Sequence, residues 1–283
     1  MTASSTLAVT GATGVVGGLV AADLAARGIP QRLLVRTPTK APQLAGSTVH
    51  PVEYGDRDAA RAALEGVETL FMVSAAESAD RLDQHRTFID AAAEAGVEHV
   101  VYTSFVAAAP DAVFTLARDH FATEEHLRAS GMRWTFLRDS FYIDFMEALV
   151  GEDGAIRGPA GDGRVAVVAR ADVARTAATI LAAPAEHAGR TYELTGPEAL
   201  SLTEVAAIIT AVRGTQVSFV DETLDEAYAS RADYGAPGWQ VDAWVSTYTA
   251  IASGDMAAVS RDVEAIAGTP PRSLEAFLRD TPR

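Results

Sequence analysis

Cysteine is absent from this 283-residue chain, and lysine is nearly so, with Lys40 its sole example. Without cysteine there are no disulfides, no thiolate nucleophile and no Cys-ligated zinc. Such a chain suits a cytoplasmic protein. Also absent is any apolar run of the ~18 residues that a membrane span requires. The N-terminal stretch lacks the basic start of a secretory signal, so neither export nor membrane insertion is expected. Positive charge is scarce: 23 Lys and Arg stand against 38 Asp and Glu, a formal net charge of −15. An acidic surface repels phosphate backbones, so nucleic acid is not an expected partner. The six histidines are scattered without ligand spacing, and no metal site is expected.

What is present is a βα alternation. Leu7–Thr10 reads as a strand and Val15–Ala26 as a helix. Strands follow at Gln31–Val35, Val49–Glu53, Glu68–Val73, His99–Thr103 and Trp134–Arg138. Between them lie helical patterns at Arg57–Leu64, Arg81–Ala95 and Ala117–Ser130. This spacing predicts an α/β fold with a Rossmann-type, doubly wound parallel sheet. The pattern changes near residue 145. Gly151–Gly163 reads as a loop, and Val165–Ala169 as a strand. Ala171–Leu181 and Ser201–Val212 read as helices, the latter opened by a Ser201/Glu204 capping box. Strands are expected at Thr191–Leu194 and Val217–Val220, and mostly helix from Leu224 to Leu278. We expect a core over 1–145 and a smaller C-terminal α/β region over 146–283, with some elements returning to the core.

The sharpest motif runs Thr10-Gly11-Ala12-Thr13-Gly14-Val15-Val16-Gly17, between the first strand and the first helix. Gly11 permits the turn and Gly14 a close approach of backbone to a pyrophosphate. Gly17 permits close packing of helix on sheet. The helix N-terminus then offers free amides to phosphate. Where the second strand ends, NAD-binding chains carry an acidic residue that holds the ribose. This chain has Arg36 there, with Lys40 nearby, which favours NADPH, with NADH the alternative.

TGATGVVGG, LLVRTPTK, Gly55-Asp56 and Tyr102-Thr103-Ser104 together resemble the NmrA-like atypical short-chain dehydrogenases/reductases. LARDHFATEEHLRASGMRWTFLRDSFYIDFM (116–146) and the tail SGDMAAVSRDVEAIAGTPPRSLEAFL resemble the quinone oxidoreductase branch of that family, and the resemblance covers nearly the full length. It implies cofactor contacts from Gly11, Thr13, Gly14, Val15, Val16 and Arg36, with Asp56 near the adenine. It also implies contacts from Val73-Ser74-Ala75 and from Tyr102-Thr103-Ser104, and places Phe141-Tyr142 by the nicotinamide. From its alternation with Val101, Tyr102 itself reads as core.

Ordinary short-chain dehydrogenases use a Tyr-x-x-x-Lys pair, in which the lysine lowers the proton affinity of the tyrosine. No such pair exists here. In the corresponding helix the two positions fall on Leu116 and His120. Candidate catalytic groups are then His120, with Glu124 one helical turn on to hold its ring, and Ser104, at the carboxyl end of the fifth strand. Phe141, Tyr142 and Phe145 read either as the lining of a flat pocket or as packing. Trp239 and Trp244 read as cover for that pocket or as core.

A quinone or related planar aromatic carbonyl suits a reductase with no strong acid, because aromatisation drives the step. Such chemistry also fits the tailoring of a natural product. The other readings are a non-catalytic dinucleotide sensor of NmrA type and an epimerase-like enzyme with bound cofactor. A monomer or a homodimer is expected.

Overall fold

The computed structural model describes residues 5–281. Its elements run β1 (Leu7–Thr10), α1 (Val15–Ala26), β2 (Gln31–Val35), β3 (Ser47–Pro51), α2 (Arg57–Leu64), β4 (Thr69–Met72) and α3 (Arg81–Glu94). Next come β5 (His99–Phe105), α4 (Thr115–Ala129), β6 (Arg133–Asp139), β7 (Ala155–Gly158), β8 (Arg164–Val165), α5 (Arg170–Ala182) and β9 (Arg190–Leu194). The chain closes with β10 (Leu200–Ser201), α6 (Leu202–Arg213), β11 (Ser218–Asp221), α7 (Leu224–Arg231), α8 (Gly238–Ser253), α9 (Asp262–Ala267) and α10 (Leu274–Asp280).

Seven strands form one sheet in the order β3-β2-β1-β4-β5-β6-β9. The pairs β1–β2, β2–β3, β1–β4 and β4–β5 are all parallel. Bonds from Arg133 N to Glu98 O and from Val106 N to Asp139 O, one at each end, carry the same sense across β5 and β6. Strand order reverses between β1 and β4. In open α/β sheets that switch point opens a crevice beyond the carboxyl ends of the strands, where ligands bind. The central strands are apolar without alternation, as a sheet covered on both faces requires. Every residue of β1, β2 and β5 is buried.

The chain divides into two compact units, interleaved in sequence. The first comprises residues up to Ser104, Asp119–Arg138 and Ala171–Tyr192. Its core gathers Leu34, Leu64, Leu70, Met72, Phe88, Ile89, Tyr102, Leu127 and Phe136, among others. The second comprises Phe105–Arg118, Asp139–Arg170 and the chain from Glu193. Its core includes Phe105, Phe114, Ile143, Ile156, Leu202, Ile209, Tyr248 and Leu278.

The second unit departs most from the sequence reading. Within the expected loop of 151–163, β7 pairs in parallel with β11. Four residues, the last a glycine, carry too little periodicity to announce a strand. The expected strand at Val165–Ala169 shortens to β8, which pairs antiparallel with β10 just before the α6 capping box. Ser201 accepts from Glu204 N, and Glu204 returns the bond to Ser201 N, as the spacing predicts.

The turn from β1 into α1 depends on two glycines. Gly11 has φ +66°, in the left-handed region, and an added Cβ would meet Val73 Cβ at 3.0 Å. A Cβ on Gly17 would lie 2.4 Å from Gly11 O and 2.6 Å from Thr10 O, both backbone atoms that cannot swing aside. Gly17→Ala should therefore lower the unfolding free energy by about 3 kcal/mol or more, as overpacking against a fixed backbone does. Urea denaturation of wild type and variant checks this, and coincident curves would contradict the packing argument.

Candidate dinucleotide site and its buried polar support

The first unit builds the candidate site from the β1–α1 turn. Gly14 is the N-cap of α1 and has no capping side chain, and no acidic residue occupies the first helical turn. The first-turn amides of Val15, Val16 and Gly17 therefore have no side-chain acceptor and carry the positive end of the helix dipole. Thr13, Gly14 and Val15 are exposed. An uncapped twelve-residue helix that starts at the switch point is fitted to a pyrophosphate. Arg36 and Lys40 lie on the segment after β2, both exposed. Among the described residues no carboxylate pairs with either. In a chain of net charge −15, two exposed cations on one short segment, with no carboxylate partner among the described residues, suit a further phosphate. Asp56 has a local task, since its side chain caps α2 by accepting from Ala59 N at 3.0 Å.

The opposite wall of the crevice is the segment after β4, and most of its backbone is already bonded. Val73 N donates to Thr10 Oγ1 at 2.8 Å, Ser74 N to Thr103 Oγ1 at 2.8 Å and Ala75 N to His85 Nε2 at 2.8 Å. Val73 O accepts from Tyr54 and Ala75 O from Arg81. This wall is therefore rigid. It can offer a ligand the Ser74 side chain and the apolar surface of Val73 and Ala75, but not its amides.

Beneath that wall lies a buried network linking α3, α4 and β5. Arg81 Nη2 lies 3.0 Å from His120 Nε2. A guanidinium can only donate, so Nε2 accepts. His120 Nδ1 then carries the ring hydrogen and donates it to Tyr102 Oη at 3.0 Å. His85 follows the same rule. Its Nε2 accepts from Ala75 N, so its Nδ1 donates to Thr123 Oγ1 at 2.9 Å, and Thr123 passes its own hydrogen to Asp119 O. Both rings are neutral. Burial, with Arg81 adding to it, lowers His85 from 6.5 to about 3 and holds His120 well below its ordinary value. Burial raises Tyr102 above the usual tyrosine range.

This geometry corrects one expectation. Glu124 does not hold the His120 ring. It is fully buried, and its carboxylate receives Arg138 through two bonds of 2.9 and 2.7 Å, Arg128 at 3.2 Å and Ser104 Oγ at 2.6 Å. A one-turn spacing allows a contact, but a planar guanidinium from β6 makes a better partner for a buried carboxylate. Ser104 and His120 are brought near the same strand end, each with its hydrogen turned inward. Tyr102 is core, as its alternation suggested. Sequence reasoning missed Arg81, His85 and Thr123. Arg81 and His85 lie one turn apart on α3, and Asp119 and Thr123 one turn apart on α4. Polar residues one turn apart in register with the apolar positions of each helix were the available signal.

Phe141 and Tyr142 belong to the second unit. Phe141 packs on Phe105 and Phe114 with ring centroids 5.0 and 5.2 Å away, so packing is what the structure gives it. Tyr142 bonds to Asp139, and Phe145 is half-exposed beneath the Arg170 guanidinium. Trp244, rather than Trp239, joins Tyr234, Tyr248, Arg157 and Arg231 around a cavity of about 480 Å³ within this unit. Among the described residues no group of three His, Asp or Glu could hold a metal ion, and no helix is long and apolar enough to cross a membrane.

Sheet order, glycine turn and uncapped helix define a Rossmann-type dinucleotide-binding protein. The model of the NmrA-like family matches residues 3–230, and the chain belongs to that family. It is 36% identical to quinone oxidoreductase 2 of Escherichia coli, over 95% of this chain and 96% of that protein. It is 32% identical to an NAD(P)H azoreductase of Xenophilus azovorans, over 96% of each chain. Among solved structures it superposes on the NADPH complex of the E. coli quinone oxidoreductase with a TM-score of 0.88. That match has 34% identity and covers 97% of this chain and 99% of the other.

The buried neutral histidines make stability depend on pH. The folded His85 declines a proton that the unfolded chain accepts below 6.5. Its contribution is therefore complete above pH 6.5 and is lost as the pH falls toward about 3. Between pH 7 and about pH 5 the wild type should lose about 2 kcal/mol of unfolding free energy from this residue. Urea titrations at the two pH values should show a correspondingly smaller difference for His85→Gln. An unchanged difference would refute the assignment.

Proposed function

We propose that the chain is an NADPH-dependent oxidoreductase that reduces a quinone or a related planar aromatic carbonyl. The uncapped helix at the switch point carries the reading, together with likeness to NAD(P)H-dependent reductases over the whole chain. In this reading the Gly11–Val16 turn, with Thr13, holds the pyrophosphate. Arg36 and Lys40 take the 2′-phosphate, and the free oxygen of Asp56 faces the adenine. Val73, Ser74, Ala75 and Thr103 form the wall along the cofactor, and Tyr102 supports that wall from below. The second unit, to which Phe141 and Tyr142 belong, is the substrate-binding part in this reading. When bound, NADPH supplies hydride.

The residues that replace the usual Tyr and Lys shape the rest of the reading. His120 is buried and neutral, and its hydrogen is directed at Tyr102. It serves as a positioning residue that locks α3, α4 and β5 together. Ser104 keeps a lone pair but commits its hydrogen to Glu124. An acceptor whose reduced oxygen is already a stabilised anion suits this site best, and a quinone is such an acceptor.

Absorbance of the reduced cofactor, followed with a panel of small quinones, tests the activity. Consumption is expected, and none across the panel would overturn the reading. Arg36→Ala should raise the NADPH KM about tenfold or more, the loss of a charge-assisted phosphate contact, with little change for NADH. Equal losses for both cofactors would remove Arg36 from the 2′-phosphate.

A further inference from the structure

A cavity of about 480 Å³ in the second unit has walls of aromatic rings and arginines. That volume is in the range of small-molecule sites. It lies between the segment leading into β7 and the helices α7 and α8, and Leu149, Arg157, Arg231, Tyr234, Trp244 and Tyr248 line it. Tyr248 forms a fixed wall. Its ring leaves no room for a Cβ at Gly158, and the Arg231 guanidinium lies 5.1 Å from the ring centre. Arg231 is itself buried, with Nη1 donating to Glu222 Oε2 at 3.1 Å and Nη2 to Arg157 O at 3.0 Å. Tyr234 stands at the rim. It is 72% exposed, and its ring is edge-on to Trp244 with centroids 5.8 Å apart. An aromatic ring left in water beside a second ring offers a face that the fold itself does not cover.

The lining is one-sided in charge. The chain carries 38 acidic residues against 23 Lys and Arg, yet two arginines and no acidic residue line this cavity. Asp153 and Glu222, the carboxylates that pair with them, are not part of the lining. The hydroxyl hydrogens of Ser230 and Thr247 are spent on carbonyls of their own helices. Tyr234 Oη and Trp244 Nε1 are bonded to no described residue. An indole N–H can only donate and a phenol can donate, so both are served by oxygen acceptors. Arg157 pairs with Asp153 in a solvent-exposed contact, and such a pair holds its cation weakly.

We propose that this cavity binds a planar aromatic carboxylate of about two fused rings, with the rings against Tyr234, Trp244 and Tyr248 and the carboxylate at Arg157. Stacking and a charge-assisted bond both favour such a ligand, whereas a neutral aromatic gains only the stacking. The proposal concerns the second unit alone. Binding requires neither NADPH nor turnover, so a failed quinone assay and a failed titration are separate outcomes.

Calorimetric titration of the full chain without NADPH tests the site, with 2-naphthoate and its neutral counterpart 2-naphthylmethanol as probes. One saturable site is expected for naphthoate, with the alcohol about tenfold weaker for want of the charge-assisted bond. Tyr234→Ala should weaken both ligands by about fivefold, the loss of one aromatic contact. Arg157→Gln should bring naphthoate down to the level of the alcohol and leave the alcohol unchanged. Both side chains reach solvent, so neither substitution opens a hole in the core, and urea curves matching wild type check this.

Absence of saturable naphthoate binding overturns the proposal. So does naphthoate binding that neither variant alters, which places the ligand elsewhere on the chain. An alcohol bound as tightly as naphthoate removes the carboxylate from the recognition and overturns it as well.

Discussion

The close approach of α1 to the end of β1 is the contact on which the rest of the molecule depends. Thr10 and Gly11 carbonyls lie where a Gly17 side chain would begin. Only glycine lets the helix start there, with its positive end at the switch point and its first amides unclaimed. Thr10 also bonds to Val73 N and to Tyr54, so the same turn ties the carboxyl ends of β1 and β4 together. A crevice held open by backbone geometry needs little rearrangement to receive a phosphate. That is why such turns serve as anion sites.

Behind the crevice two buried histidines are kept neutral. His85 and His120 are deprotonated by burial, with each ring tautomer fixed by a donor that can face only one way. The buried carboxylate of Glu124 is satisfied by two guanidiniums and a hydroxyl. Asp139 lacks such partners. Of these two buried acids one is saturated with donors and the other nearly bare, and burial raises the proton affinity of the second.

The boundaries of β1, α1, β2 and α2 were legible in the sequence, because strands buried on both faces and glycine punctuation leave strong local marks. The glycine turn into α1 was legible for the same reason, as it is made of backbone. Support for the site was much less so. Arg81 and His85 meet Asp119, His120 and Thr123 only when α3 packs beside α4, and nothing local orders that pairing. The Glu124–His120 spacing was a true neighbourhood that tertiary competition from Arg138 overrode. In the second unit β7 and β11 are short and distant in sequence, and they become strands only by pairing with each other.

By itself, the sequence determined the βα alternation, the glycine turn and the lack of a Tyr/Lys acid. Each is written in residue types with local conformational consequences or in plain absences. The tertiary structure alone decided which polar groups hold protons. Proton affinity follows from burial and from the partners that other elements bring. At Asp139 those elements brought one hydroxyl and no cation.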